Sequence, residues 1–319
     1  MSNQIYVITE HIKGKFDDST FEMIGKAKEL AGAMGGEVVA VLMGSGNAGM
    51  AGQLGAADKV IHVDDAQLAE FNPEAHSKTV SALVAANSPK LVMTAYSSMG
   101  MEIAPAVSVD QNIPLVAYVS GMSVDGGGLT VVSSLYGGKM NVESAFEGDS
   151  YIVSVLPGAF PADAGRADGS PAVESASAPD LSGLSVKFKR LIEPDSSDVD
   201  ITTQEILVSA GRGIQSDENL PMVEELAGKL GGSVSCSRPI VDNKWLPKTR
   251  QVGKSGLKVK PKLYLALGIS GAPEHIEGMK DADLIIAVNT DPKAPIFEYA
   301  HYGVVADLFD FIPALSGKL

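Results

Sequence analysis

"LYLALGISGAPEHIEGM", residues 263–279, decides the fold of the second half of this 319-residue chain. An apolar strand ends on glycine. Small residues and a second glycine follow, and an Ala-Pro step opens a helix. Such a turn leaves backbone N–H groups free at a helix start, where the helix dipole favours phosphate. The device recurs nearby. "SAGRG" (209–213) follows "EILV", "CSRP" (236–239) closes "SVSC", and "VNTD" (288–291) closes "LIIAVN"; "GVVAD" (303–307) supplies a last strand. In an open parallel sheet, ligands sit beyond the carboxyl ends of the strands. All four turns fall at such ends, so together they call for one large anionic ligand, most simply a dinucleotide.

Upstream, strand-like and helix-like runs alternate. "IYVIT" reads as a buried strand. Met23, Ile24, Ala27, Leu30, Ala31 and Met34 share one helical face. Strands "VVAVLM" and "VIHV" follow. "NPEAHSKTVSALVAAN" opens with Asn72 as N-cap and Pro73 at the first helical position. Strand "LVMTAY" and a helix near 100–109 complete a parallel α/β pattern. "LTVVSSLYGGKMNVESAF" then reads as a hairpin turning at Gly137–Gly138, and "YIVSVLPG" as one more strand. Residues 157–183, rich in Pro, Ala, Ser, Gly and Asp, read as an extended linker. "LSVKFKRLIE" (184–193) reads as a strand returning to the first domain. The pattern predicts two α/β domains with mainly parallel sheets, 1–198 and 199–319.

The net charge is −14 and the pI about 4.8, which argues against nucleic acid and anionic membranes as partners. A single cysteine, Cys236, excludes an internal disulfide framework and reads as a small buried hydrophobe. No run has the ~18 apolar residues of a membrane span. The N-terminal stretch lacks a basic region followed by a long apolar one, so a cytoplasmic location is expected.

Hydrolytic and metal chemistry find little support. His11, His62, His76, His275 and His301 show no HxH or HxxxH spacing, and no metal site is expected. There is no G-x-S-x-G elbow. "VGKSG" holds a G-K-S, but Lys248 stands where a phosphate-binding loop needs its first glycine. Arg212 and Arg238 lie at strand ends, where guanidinium groups suit phosphate or an electron-rich ring; a surface ion pair is the plain alternative. His275, early in the helix after "GISGA", is placed to face the same crevice.

From "LVSAGRG" onward the chain resembles the electron-transfer flavoprotein alpha subunit. The resemblance rests on "SAGRGIQSDEN", "SRPIVDNKWLP" and "QVGKSGLKVKPKLYLALGISGAPEHIEGMKDADLIIAVNTDPKAPIFEYAHYGVVADLF". The first half matches more loosely. The resemblance implies a Rossmann-like second domain that binds FAD. By motif position, Arg212 would contact the cofactor, and Ser237 and Arg238 would sit at its isoalloxazine end. Val252, Gly253, Lys254 and Ser255 would line the ring, with the Ser255 hydroxyl near N5. Ser270, Gly271, Ala272, Pro273, Glu274 and His275 would hold the middle and the ring edge, with His275 near N1 and O2. Asn289, Asp307 and Leu308 would bind the adenosine part. A donor at N1/O2 stabilises the charge that gathers there on reduction.

The resemblance further implies a heterodimer with a beta subunit, built on the first domain. Electrons would come from flavin-containing dehydrogenases, as in fatty acid beta-oxidation, and leave to a membrane or soluble acceptor. The chain would be an electron carrier with no catalytic residues or substrate chemistry of its own. The rival reading is a non-redox, dinucleotide-sensing regulator, separated from the first by whether a reductant bleaches the flavin. The family usually has Gln-Thr at Lys254–Ser255, Ile-Gln at Pro273–Glu274, and often Asp at His301, so charges of both signs are added near the expected ring.

One further motif competes. "GSGNAG" (44–49) spaces three glycines as a dinucleotide-binding turn does, after "EVVAVLM", with Asp64 or Asp65 about 20 residues on. Its helix is short and it follows the second strand. In the family the first domain carries no redox cofactor, so a tight turn is expected here.

Overall fold

The computed structural model describes residues 2–125, 128–146, 148–167, 169–192 and 198–319. The chain forms two compact units, Met1–Arg190 and Leu191–Leu319.

The first unit opens with β1 (Gln4–Ile8), a small hairpin of β2 (His11–Ile12) and β3 (Lys15–Phe16), and α1 (Asp18–Met34). The Asp17 carboxylate caps α1 by accepting from the Ser19 amide at 2.9 Å, and Gly35 ends it in the left-handed region. Then come β4 (Glu37–Gly44), β5 (Lys59–Asp64), α2 (Pro73–Asn87), β6 (Leu91–Ala95) and α3 (Gly100–Gln111). Asn72 caps α2 through the Ala75 amide. The strands β7 (Leu115–Asp125), β8 (Gly128–Leu135), β9 (Met140–Ala145), β10 (Tyr151–Val155) and β11 (Ala172–Ala176) complete the unit. One sheet runs β11-β5-β4-β1-β6-β10-β7-β8-β9, parallel except for the β7-β8-β9 meander. Alternate residues of β1 feed two cores: Ile5 and Val7 on one face, Tyr6 and Ile8 on the other. At the outer edge, β9 pairs only with β8 and exposes Met140 and Val142.

Two expectations are corrected. Residues 157–183 are not a structureless linker. They carry a 3-10 turn at Ala162–Gly165, pressed against α1, and the edge strand β11. "AVESA" shows no apolar alternation because an edge strand exposed on both faces needs none; its Glu174 pairs with Lys59 instead. The described part of 184–193 is not a strand. It lies extended beside the start of α2, where the Glu74 carboxylate accepts from the Ser185 and Val186 amides and the Asn72 amide group donates to the Val186 carbonyl. Side chains replace a strand neighbour; Glu193 lies outside the described residues.

In the second unit β12 (Ile206–Ala210), α4 (Leu220–Lys229), β13 (Ser233–Cys236), α5 (Arg238–Asp242), β14 (Leu263–Leu267), α6 (Pro273–Ile276), β15 (Ile285–Asn289), β16 (Tyr302–Val305) and α7 (Leu308–Ser316) follow in order. The sheet runs β13-β12-β14-β15-β16, all parallel. Val208 and Leu265 face one core, Leu207 and Tyr264 the other. The chain leaves β12 toward β13 and returns to β14 on β12's other side. The carboxyl ends of β12 and β14 therefore bound a topological switch point, the usual ligand position of such folds.

Candidate functional site

At the switch point the two loops meet backbone to backbone. The Gly211 amide donates to the Leu267 carbonyl at 2.8 Å, and the Gly213 amide to Gly268 at 3.1 Å. A Cβ on Gly211 would stand 2.3 Å from the Gly268 carbonyl oxygen, and one on Gly213 would stand 2.7 Å from the Gly268 Cα. Gly268 itself has φ +65°. Leu308, buried at the start of α7, packs against it. "GRG" and "LGIS" thus carry glycine because side chains would part the strands' ends.

The remaining turns join in sequence. The Ser237 amide donates to the Ala210 carbonyl, and the Val252 amide to Cys236. The 252–255 loop folds onto the turn before α6: the Lys254 amide donates to the Glu274 carbonyl at 2.7 Å, and a Cβ on Gly253 (φ +138°) would stand 2.7 Å from that oxygen. Gly271 (φ +86°) is pressed on the Ile296 backbone. The sixteen residues expected at the site therefore lie on turns, a strand end and helix starts along one edge of one sheet.

His275 is buried, 6% exposed. Its Nε2 lies 2.9 Å from the Tyr264 hydroxyl, which lies 2.7 Å from Ser209 Oγ. Its Nδ1 is buried against the Val252 backbone, which offers it an acceptor outside good hydrogen-bond geometry. Burial pulls the imidazole pKa down to about 4, against a smaller opposing pull from Val252. The ring is thus neutral at physiological pH, with one nitrogen spent inside the protein.

The other side chains sort by exposure. Arg212 is exposed with no ion-pair partner among the described residues. Arg238 is also exposed and pairs with Asp242 one turn on. Ser237 is buried, whereas Lys254, Ser270, Ala272, Pro273 and Glu274 are exposed. Ser255 is exposed, and its Oγ accepts from the buried Gln251 side-chain amide at 2.9 Å. Asn289 pins two loops, donating to Ile269 and accepting from the Asp291 amide. Asp307 caps α7 through the Phe309 amide. His301 Nδ1 accepts from the Ile285 amide at the start of β15. Cys236 is wholly buried, its thiol pushed up to about 12 by desolvation.

Tyr264, Ser209 and Gln251 were missed by the sequence reading. The signal for the first two was available: a hydroxyl inside a buried apolar strand needs a partner, and "LYLAL" and "LVSA" each contain one.

In the first unit, both places where a parallel fold would take a phosphate are filled by its own carboxylates. The Gly46 amide donates to Asp64 at 3.0 Å, and Asn47 ties the same turn to His11, His62 and the Met43 carbonyl. At the β1–β6 switch point the buried Glu10 carboxyl accepts from Ser97 Oγ at 2.8 Å beside the start of α3. Burial raises its pKa to about 7; the Ser97 and Gly100 hydrogen bonds oppose this.

Residues 5–181 match the family profile described as the electron transfer flavoprotein domain, and residues 200–280 the one described as the electron transfer flavoprotein FAD-binding domain. The chain is 36% identical to an electron transfer flavoprotein subunit alpha of Methylophilus methylotrophus, over 99% of both chains. It is 31% identical to that of Bacillus subtilis, over 99% of this chain and 97% of the relative. It is 32% identical to a lactate dehydrogenase (NAD(+),ferredoxin) subunit LctC of Acetobacterium woodii, over 98% of this chain and 75% of the relative.

Proposed function

The chain belongs to the electron transfer flavoprotein alpha-subunit family, and from that premise we propose that its second unit holds FAD on the loops at the carboxyl edge of the β12–β14 sheet. The protein is an FAD-dependent electron carrier. When bound, the flavin supplies the redox chemistry, and the protein positions and tunes it.

The residues fit such a group. The glycine pairs 211/268 and 253/278 let the loops that would hold the group close on one another backbone to backbone. Exposed Arg212 suits the pyrophosphate. Ser255 is exposed with its oxygen held by Gln251 and its own proton free to donate toward the ring's N5 side, and buried His275 closes the turn before α6. The glycine turns after β12 and β14, packed backbone to backbone at the switch point, carry the proposal. Asn289 and Asp307, both committed to loop and helix caps, act by shaping the adenosine end.

The first unit pairs with a beta subunit. Flavin-containing dehydrogenases deliver electrons, and a membrane or soluble acceptor in the cytoplasm takes them. In this reading the chain acts through its flavin and performs no substrate chemistry of its own. The test is co-expression with the beta subunit, then extraction and identification of the flavin. FAD at one equivalent that bleaches with a physiological reductant is expected. FMN alone, or no flavin after reconstitution, overturns the reading.

A further inference from the structure

We propose that Asp198 and Arg250 are positioning residues, whose ion pair sets the 251–255 loop for the flavin and ties it to the chain entering the second unit; this rests on the functional reading above. The contacts are specific. Arg250 Nε and Nη2 both reach Asp198 Oδ1, at 2.7 and 2.5 Å, and Asp198 Oδ2 accepts from the Thr249 hydroxyl. Arg250 Nη1 donates to the Val234 carbonyl in β13 at 2.9 Å. Both side chains of the pair are only 18% exposed. The Arg250 hydrogen bond brings the Asp198 carboxyl down to about 2 against the cost of burial, so the pair is ionised at physiological pH.

The next residue turns this clamp into a loop restraint. Gln251 is buried. Its carbonyl accepts from the Leu257 amide at 2.8 Å, and its side-chain amide donates to Ser255 Oγ at 2.9 Å. A Cβ on Gly256 would stand 2.3 Å from the Gln251 carbonyl oxygen, so the loop is wrapped tightly on this one residue. Gln251 is delivered by the surface turn Lys248–Arg250. There Lys248 is exposed, while the side chains of Thr249 and Arg250 both go to Asp198. At the other end, Asp198 stands just ahead of the 3-10 turn Ile201–Thr203 that leads into β12. A guanidinium that serves two acceptors fixes direction as well as distance, which a lysine would not. Neither residue of the pair touches the cofactor; together they set where Gln251 holds Ser255.

Opposite charges separate positioning from a mere field. Asp198→Asn removes a negative charge and Arg250→Met a positive one, so through space they would move the flavin's midpoint in opposite senses. Loss of position moves it in one sense, that of Ser255→Ala, by ~30 mV for each tenfold change in the relative binding of the two redox forms. Redox titration of the αβ complex should show that common sense in both variants and in Arg250→Lys, the mildest change. No further shift should follow when any of them is added to Ser255→Ala. Shifts of opposite sign, or equal shifts in the Ser255→Ala background, overturn the proposal. Hydrogen exchange reads the loop whether or not flavin is present. The Lys254 and Leu257 amides should exchange at least tenfold faster in Asp198→Asn than in wild type, with the β12 amides unchanged. Unchanged exchange at both loop amides, or an equal acceleration through β12, overturns it. A wild-type complex that takes up no FAD defeats the functional reading instead, while the exchange remains readable.

Discussion

At the scale of single residues, Glu10 makes the clearest thermodynamic statement. Its carboxyl titrates near 7 in the folded chain and near 4.5 in the unfolded one. A raised acid pKa means the folded state holds its proton longer. Its stability contribution is therefore complete below the unfolded value, and is lost as pH rises from 4.5 through 7. Glu10→Gln keeps the oxygen that accepts from Ser97 and cannot ionise. Urea unfolding should show the variant more stable than wild type by about 3 kcal/mol at pH 8, with the gap closing toward pH 4. Ser255 makes an electronic statement. Gln251 donates to its oxygen, which leaves the hydroxyl proton available to a bound ring. A hydrogen bond to a charged group is worth about 1.5–3 kcal/mol, or on the order of 60–130 mV for one electron. Ser255→Ala should lower a flavin one-electron potential on that scale while FAD stays bound, as redox titration would show.

At the scale of elements, glycine made the turns after β12 and β14 readable, whereas those after β13 and β15, which carry none, were read from their place at strand ends. All four strands are present in the parallel sheet. What sequence did not reveal were contacts without a periodic signature. β11 was hidden because an edge strand exposed on both faces has no apolar alternation. The stretch 184–193 looked like a strand, but in its described part a glutamate and an asparagine meet the backbone groups of Ser185 and Val186. Tyr264 was not singled out, since one hydroxyl inside "LYLAL" does not name its partner. Two glycine substitutions separate turns that only bend from turns that also pack. Gly46→Ala adds a side chain that meets nothing within 4 Å, and pays only for a left-handed residue. That costs about 1–2 kcal/mol, and FAD content should not change. Gly268→Ala bears the same strain and also drives a Cβ to 2.7 Å from the Gly213 Cα and 3.0 Å from Leu308. It should lose several-fold in FAD affinity as well as stability, measured by flavin release and urea unfolding of the same sample.

At the scale of the whole molecule, each unit has its own pair of cores on its own sheet, so they need not melt together. FAD that binds one native unit shifts that unit's equilibrium alone, by about 2.7 kcal/mol at a hundredfold excess over its dissociation constant. Calorimetry with added FAD should move the transition of the second unit upward and leave a separate first-unit transition in place. A single transition moving as one would show that the units unfold together. The outer edge of the nine-stranded sheet has a practical consequence. β9 offers an unpaired row of backbone groups flanked by Met140 and Val142, with Glu143 its single charge. Such an edge templates strand-on-strand growth between copies. The overproduced, isolated polypeptide would then be limited by colloidal behaviour rather than by its folding energy, and Val142→Lys should raise its soluble yield with little change in melting temperature.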